Sequence, residues 1–496
     1  MNEYLLGIDN GGSVTKAALF DTEGHEIAAA SRNVTIIQPS PGWNERDANK
    51  VWEDTCDVIR EVISLSGASP SKILAVACTG HGNGLYLVDR NGCPVRNAIN
   101  STDSRAQEYI DAWKKAGVDK AALPYTAQSL WAGQPNALLA WLKDNEPATL
   151  EKARWVLMAK DFTRMKLTGE FLAEITDMSG TSLMDVCKGE YDNHVLGLFG
   201  LGGSRELLPP LVGSADMAGK LSQKAASETG LMAGTPVAGG MFDIDACALA
   251  SGITDEKQMS LVVGTWGNNQ YIAKQPLIDK DLFMASIYSI PGWYLMLEGS
   301  PTSAGNLDWF IETFLQHEKL EYGNGFFGWL EQQITTVSPG SSDITFLPFL
   351  YGCNAGKDIP AAFYGIKGHH SRAHLIRAVY EGIVFSHKTH IDRLLNFREA
   401  PEVLRCSGGA TQSPVWMQMF ADIIGIPVEI PEGTQLGALG AAMAAAVSRG
   451  LYEDFSEAVG QMTRIKQRFE PDKSRHVIYE EKYLQYKKLI RKLSTD

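Results

Sequence analysis

Residues 4–21 read YLLGIDNGGSVTKAALFD. An apolar run ends in Asp9, Asn10-Gly11-Gly12 follows, and the run resumes from Lys16 to Phe20 before Asp21-Thr22-Glu23-Gly24 turns the chain again. This pattern predicts two β-strands joined by a glycine-containing turn. A weaker echo stands at 259–273, MSLVVGTWGNNQYIA, again strand, glycine turn, strand. A repeated opening suggests two halves of like architecture. At 496 residues the chain is too long for one ordinary core, so two domains of roughly 200–250 residues are expected. The division falls near 245–255 and is set as 1–248 and 249–496.

Between the two openings the pattern alternates. Asp47 precedes a helical spacing of Val51, Trp52, Val58, Ile59 and Val62, and residues 73–78 form a buried strand running into the loop 79–84. Residues 135–143 and 151–167 read as amphipathic helices, with LTGE at 167–170 as a stop. The stretch 234–252, GTPVAGGMFDIDACALASG, reads as a short strand, a Gly-Gly turn and a helix of small residues. Helices at 372–391 and 435–449 are assigned to the second half. The tail 477–493 is an amphipathic helix whose Lys487, Lys488, Arg491 and Lys492 suit a helix C-terminus.

Composition narrows the class. Hydrophobic residues make up 44% and charged residues 21%, as in a soluble globular protein. A net charge of −13 argues against nucleic-acid and anionic-membrane partners. The opening MNEYLLGIDN has no signal-peptide pattern. Seven scattered cysteines without a C-x-x-C pair suit reduced thiols rather than a disulfide framework or a zinc site, so the expected location is the cytoplasm.

Four stretches can carry chemistry. In GIDNGGSVTK (7–16), Gly11, Gly12, Ser13 and Thr15 offer amide and hydroxyl donors to phosphate oxygens. Asp9 can hold a magnesium ion through water, and Lys16 can neutralise a moving phosphoryl group. The plainer alternative is an ordinary hairpin; no Walker A loop is present. Gly264-Thr265-Trp266-Gly267 is the matching turn of the second half. Asp243, after Gly239-Gly240, can accept a proton from a hydroxyl attacking a phosphate, unless it is merely an N-cap. Asp245 is its rival, although residues two apart on a helix do not share a face. Gly408-Gly409-Ala410 lets backbone approach a flat ring. Around a small-molecule pocket, His81, Gly82, Asn83, Asp103 and Arg105 offer polar groups to hydroxyls. His369-His370 has no third ligand at metal spacing and reads as a surface loop.

Taken together, GID-x-GG-x-x-x-K (7–16), GG-x-x-D (239–243), GTWG (264–267) and GGA (408–410) resemble the FGGY carbohydrate kinases of the actin/Hsp70/sugar-kinase superfamily. AAFYGIKGHHSRAHLIRAVYE (361–381) fits the second family signature, and GQPNALLAWLKDN (133–145) the first, except that Leu138 stands where Lys is usual. The resemblance covers roughly residues 4–485. It implies an α/β chain of two ribonuclease-H-like domains flanking a deep cleft, with ATP and Mg²⁺ as cofactors. It also implies Asp243 as catalytic base, and Asp9, Gly11, Gly12, Ser13 and Lys16 facing metal and phosphate. Gly264 and Thr265 would face phosphate too, with Gly408, Gly409 and Ala410 near the adenosine. A homodimer is common in such kinases.

Within the family, PGWNERD (41–47), GHGNGL (80–85), SPTSAGNLDWF (300–310), FLPFLYGCNAG (346–356) and YEGIVFSH (380–387) are most similar to the L-xylulose/3-keto-L-gulonate kinases. The substrate loop departs from them. His81 stands where Gln is expected and Asn83 where Lys is expected, which argues mildly against an acid sugar. The expected reaction is therefore phosphoryl transfer from ATP to a ketopentose such as L-xylulose. The alternatives are another polyol or sugar acid (ribulose, gluconate, glycerol, erythritol) and a non-kinase ATPase switch on the same fold.

Overall fold

In the computed structural model, the described residues are 3–300, 302–352 and 359–494. Pro301 of SPTSAGNLDWF and residues 353–356 of FLPFLYGCNAG lie outside them. The chain forms two compact units. One comprises Met1–Thr254, Ile272–Met296 and Gly433–Thr463; the other comprises Asp255–Tyr271, Leu297–Glu432 and Arg464–Asp496.

The first unit grows from the predicted hairpin. β1 (Tyr4–Asn10) and β2 (Val14–Asp21) pair antiparallel, with Asp9 opposite Lys16 and Asn10 opposite Thr15. β3 (Glu26–Asn33) adds to β2. α1 (Ala48–Ser66) starts at Asp47, whose carboxylate accepts from the amides of Asn49 (2.8 Å) and Lys50 (3.4 Å). It ends at Gly67, whose φ of 62° lets the chain leave in the left-handed conformation. Its predicted apolar face packs with Leu6, Ile8, Val76 and Cys78 of the strands. β4 (Ile73–Gly80) runs parallel to β1, with Asp9 beside Thr79. β5 (Met241–Phe242) runs parallel to β4, with Phe242 beside Gly80. The C-terminal ends of these three parallel strands thus meet, which is where open α/β sheets place ligands. α2 (Asp243–Ala250) leaves directly from β5.

Two sequence assignments need correction. The helix read at 151–167 is two helices, Pro147–Lys152 and Ala159–Thr168, separated by the strand Trp155–Leu157. Trp-Val-Leu favours a pleated surface and pairs antiparallel with Tyr86–Val88. The helix Leu436–Arg449, assigned to the second half, packs instead on β1, β4 and α2. Its small residues allow backbone to meet backbone. A Cβ on Gly7 would lie 1.9 Å from the Ala438 carbonyl oxygen, and one on Gly440 would lie 2.3 Å from that of Ala246.

The second unit repeats the opening of the first. β6 (Gln258–Val263) and β7 (Gly267–Ala273) form the antiparallel hairpin around Gly264-Thr265-Trp266. β8 (Val403–Ser407) lies parallel on the other side of β6, as β4 does beside β1. Val428–Pro431 continues the sheet in parallel and Ile465–Phe469 pairs antiparallel beyond it. α3 (Arg372–Leu395) begins with a capping box made by Ser371 and His374, inside the 361–381 signature. The C-terminal helix Lys473–Ser494 buries Tyr479, Tyr483, Tyr486 and Ile490 and carries Arg491 and Lys492 in its last turn. No helix of the described residues is long and apolar enough to cross a membrane.

Candidate active site

In the first unit, the chain reaches Asp243 through a turn that only glycine permits. Gly240 has φ 78°, and a Cβ there would lie 1.9 Å from the Cys78 carbonyl oxygen of β4. That close passage sets Asp243 at the head of α2, close enough to Asp9 at the end of β1 for the two charges to interact. Burial, followed by the negative charges of Asp9 and Asp177, pushes the Asp243 carboxyl well above the usual range. Burial raises Asp9 as well, against the opposing pull of Lys16 across the hairpin. Among the described residues Asp9 Oδ1 has no hydrogen-bond partner, and neither has the buried Thr15 hydroxyl. Gly437 opens the space above Asp9, since a Cβ there would fall 2.7 Å from Oδ2. Gly12 and Ser13 are exposed at the tip of the turn.

Asp245 does different work. Its Oδ1 accepts from the Ser289 amide (3.1 Å) and hydroxyl (3.2 Å) inside the core. Asp243 has the other face of the helix, as the two-residue spacing requires.

The loop after β4 is fixed from several sides. The His81 amide donates to the Asn10 carbonyl oxygen (3.0 Å), and its Nε2 is 3.3 Å from the Tyr86 hydroxyl. Burial, then the charge of Arg46, pushes His81 down to about 3, so the ring is neutral at physiological pH. Its Nδ1 is buried without a partner among the described residues. Gly82 packs against Phe242, where a Cβ would overlap the ring at 2.1 Å. Asn83 takes φ 59°; its backbone amide donates to Asp177 Oδ1 (3.2 Å) and its side-chain oxygen is buried and unpartnered among the described residues. Buried polar atoms left open in this way are what a ligand rich in hydroxyls satisfies.

Asp103 and Arg105 are committed mainly to each other. Asp103 Oδ1 accepts from Arg105 Nε (2.9 Å) and Oδ2 from Nη2 (2.9 Å), while Nη2 also donates to Glu45 (2.8 Å). The guanidinium lies 4.0 Å from the Trp43 ring centroid, and Nη1 is without an acceptor among the described residues.

Two features were not singled out from sequence. Lys160, wholly buried, donates to Asp177 Oδ2 (3.0 Å) and lies 3.4 Å from Glu174 and 3.6 Å from Asp161. Asp177 is pushed up to about 6 by burial, against the pull of Lys160. A Lys-Asp pair on the inward face of Ala159–Thr168 was the available signal, hidden by reading 151–167 as one amphipathic helix. The other is Arg46, which stands in the PGWNERD stretch but carried no assigned role.

In the second unit, the two remaining glycine stretches come together. A cavity of about 510 Å³ is lined by Gly264 and Thr265 from the hairpin turn and by Gly409 and Ala410 after β8, with Tyr380, Trp416 and Glu331 among its walls. Gly408 has φ 97°, and a Cβ on it would lie 2.6 Å from the Val263 carbonyl oxygen, so glycine joins the two stretches. Gly409 has open space where a side chain would be. The Tyr380 and Trp416 rings, with centroids 4.5 Å apart and planes inclined by 50°, supply an aromatic wall. Ser413 donates to Glu331 (2.6 Å) at the rim.

The family models for the N- and C-terminal domains of the FGGY family of carbohydrate kinases match residues 4–250 and 259–449. The chain belongs to that family. It is therefore a phosphotransferase with ATP as co-substrate and a small sugar as acceptor. The L-xylulose/3-keto-L-gulonate kinase of Escherichia coli (strain K12) is 39% identical over 492 residues, 99% of this chain and 97% of that one. A probable L-xylulose kinase of Pasteurella multocida (strain Pm70) is 37% identical over 490 residues, 98% of each chain. The crystal structure of xylulose kinase from Rhodospirillum rubrum matches with a TM-score of 0.90 and 26% identity over 99% of both chains. The expected sugar-kinase α/β fold is thus the fold of this chain.

Proposed function

We propose that this FGGY kinase phosphorylates a ketopentose, L-xylulose foremost, in the cytoplasm, with Asp243 as general base. The observation that carries the reading is the Asp9–Asp243 pair at the ends of the two parallel strands that flank β4, with buried polar atoms of His81 and Asn83 that lack hydrogen-bond partners among the described residues. Its relatives named for L-xylulose span nearly the whole chain.

Asp243 takes the proton of the attacking sugar hydroxyl, and a carboxyl raised by burial and like charge is a stronger base for that step. Neutral His81 and the Asn83 amide orient hydroxyls. Lys16 and the amides of the 11–13 turn receive phosphate oxygens, and the cavity of the second unit takes the adenosine. No group of three or more His, Cys, Asp or Glu suited to a metal exists among the described residues. Asp9, with Oδ1 open among the described residues, instead fits magnesium, which binds through one or two carboxylates and keeps its waters. The ion supplies neutralisation of charge on the phosphate oxygens.

The test is coupled ADP release with ATP and Mg²⁺ against L-xylulose, D-xylulose, L- and D-ribulose, 3-keto-L-gulonate, gluconate, glycerol and erythritol. Strong turnover with L-xylulose supports the reading. Equal ADP release with and without every sugar refutes it in favour of an ATPase switch.

A further inference from the structure

Ser303 of SPTSAGNLDWF and His387 of YEGIVFSH stand in stretches singled out from the sequence, yet neither lines the second-unit cavity. The fold joins them to Asn269 of β7. Ser303 Oγ lies 2.8 Å from His387 Nε2, and His387 Nδ1 lies 2.8 Å from Asn269 Oδ1. All three residues are buried and belong to the second unit.

The bonds in this chain have a fixed direction. The Asn269 amide nitrogen donates to the Glu298 carbonyl oxygen (3.4 Å), so its Oδ1 accepts and His387 Nδ1 carries the proton. Burial, then the charge of His390, pushes His387 down to about 3, so the ring is neutral. Its Nε2 therefore accepts from the Ser303 hydroxyl. The ring has room because residue 267, which closes the GTWG turn, is glycine. A Cβ there would lie 2.9 Å from His387 Cε1 and 3.2 Å from Ser303 Cβ.

Ser303 carries this anchor to the cavity. Its backbone amide donates to the Thr265 carbonyl oxygen (3.1 Å), and the Ala304 amide donates to that of Gly264 (2.9 Å). Gly264, Thr265 and Ala304 all line the cavity. The His387 ring on α3 thus braces the hairpin through Asn269, and its turn through Ser303.

We propose that His387 is a positioning residue for nucleotide binding, holding the Gly264–Thr265 turn in place for the phosphates of ATP through Ser303. The inference rests on the kinase reading above and deepens it. A side chain that never meets the ligand then sets how well the ligand is held.

The test measures the Kd of ADP by titration calorimetry, KM for ATP and for the best sugar, and Tm. The proteins are the wild type, Ser303→Ala, His387→Gln and His387→Asn. Gln brings an amide oxygen to the place of Nε2 and can accept from Ser303, whereas Asn reaches only the place of Nδ1 and keeps the bond to Asn269. Leaving a buried group of this kind unsatisfied corresponds to about 5- to 150-fold in an equilibrium constant. The Kd of ADP and KM for ATP should therefore rise about fivefold or more in Ser303→Ala and His387→Asn, with KM for the sugar within about twofold of wild type. His387→Gln should recover most of the loss. A rise of less than about fivefold, even with a lower Tm, marks the three residues as structural and overturns the inference. So does an equal rise in KM for ATP and sugar, or a Gln variant as weak as the Asn one. Ser303→Ala removes a single oxygen and decides the matter alone if a His387 variant does not fold. A wild type that binds ADP but turns over no sugar fails the kinase reading, while the ADP measurements still judge His387. A wild type that binds no ADP fails both.

Discussion

Asp243→Asn tests the centre of the proposed chemistry, and two independent magnitudes follow from the structure. The amide keeps the shape of the side chain at the head of α2 and removes the proton acceptor. General-base loss of this kind costs about 10²–10⁴-fold in kcat, or about 3–5.5 kcal/mol of barrier. Nucleotide binding should change little, because the cavity of Gly264, Thr265, Gly409 and Ala410 is lined wholly by the second unit. The second magnitude concerns stability. Asp243 is raised in the folded state, first by burial and then by Asp9 and Asp177. Below its unfolded pKa of about 3.8 the group is protonated in both states and contributes nothing. As pH rises from there towards the folded pKa, the unfolded chain ionises freely while the buried carboxyl cannot, and the folded state loses about 1.36 kcal/mol per pH unit. Asn carries no such cost. The unliganded variant should therefore melt at or below the wild-type temperature near pH 3.5 and above it at pH 8, with the gap opening between. Differential scanning at several pH values and the ADP-release assay give both readouts on one preparation. Turnover within tenfold of wild type would refute Asp243 as base, and a pH-independent Tm difference would refute the electrostatic account of why it is a good one.

Other perturbations probe the supporting structure. Lys160→Met leaves the Asp161, Glu174 and Asp177 cluster without its central cation. It should cost about 3–5 kcal/mol in urea unfolding, and since Lys160 also lowers Asp243, the acid limb of the kcat profile should move to higher pH. Gly409→Leu places a side chain in the open space of the second-unit cavity. KM for ATP should rise about tenfold or more while KM for the sugar and the Tm stay near wild type, in line with the loss of about 1.4 kcal/mol or more of binding. Gly440→Val forces a Cβ within 2.3 Å of the Ala246 carbonyl oxygen. It should destabilise the first unit by about 1–3 kcal/mol or more by overpacking, and an unchanged unfolding midpoint would contradict the packing of that helix.

What the sequence made legible and what it hid have a common physical cause. Hairpins, their glycine turns and the α1 cap are decided by neighbours a few residues apart, so β1–β2, β6–β7 and Asp47 could be read directly. The echo between 4–21 and 259–273 survived because the same short-range pattern builds both antiparallel pairs and leaves the same strand edge open to a parallel partner. The destination of Leu436–Arg449 was not legible. Its run of small residues announces close packing but does not say that Gly7, more than four hundred residues earlier, supplies the matching gap. The candidate site divides along the same line. Asp9, Asp243 and the glycines stand in or next to local turns and could be singled out as candidates from the sequence, whereas Lys160 and Arg46 matter only through what surrounds them after folding. A lysine ringed by three carboxylates and an arginine met by none among the described residues are identical to surface residues when read as letters. Burial gives the two opposite meanings: the first is satisfied internally and fixes the loop through Asp177 and Asn83, while the second has two donors left over. The unsatisfied atoms are thus the part of the site that most constrains the ligand, and they are the part that no local pattern encodes.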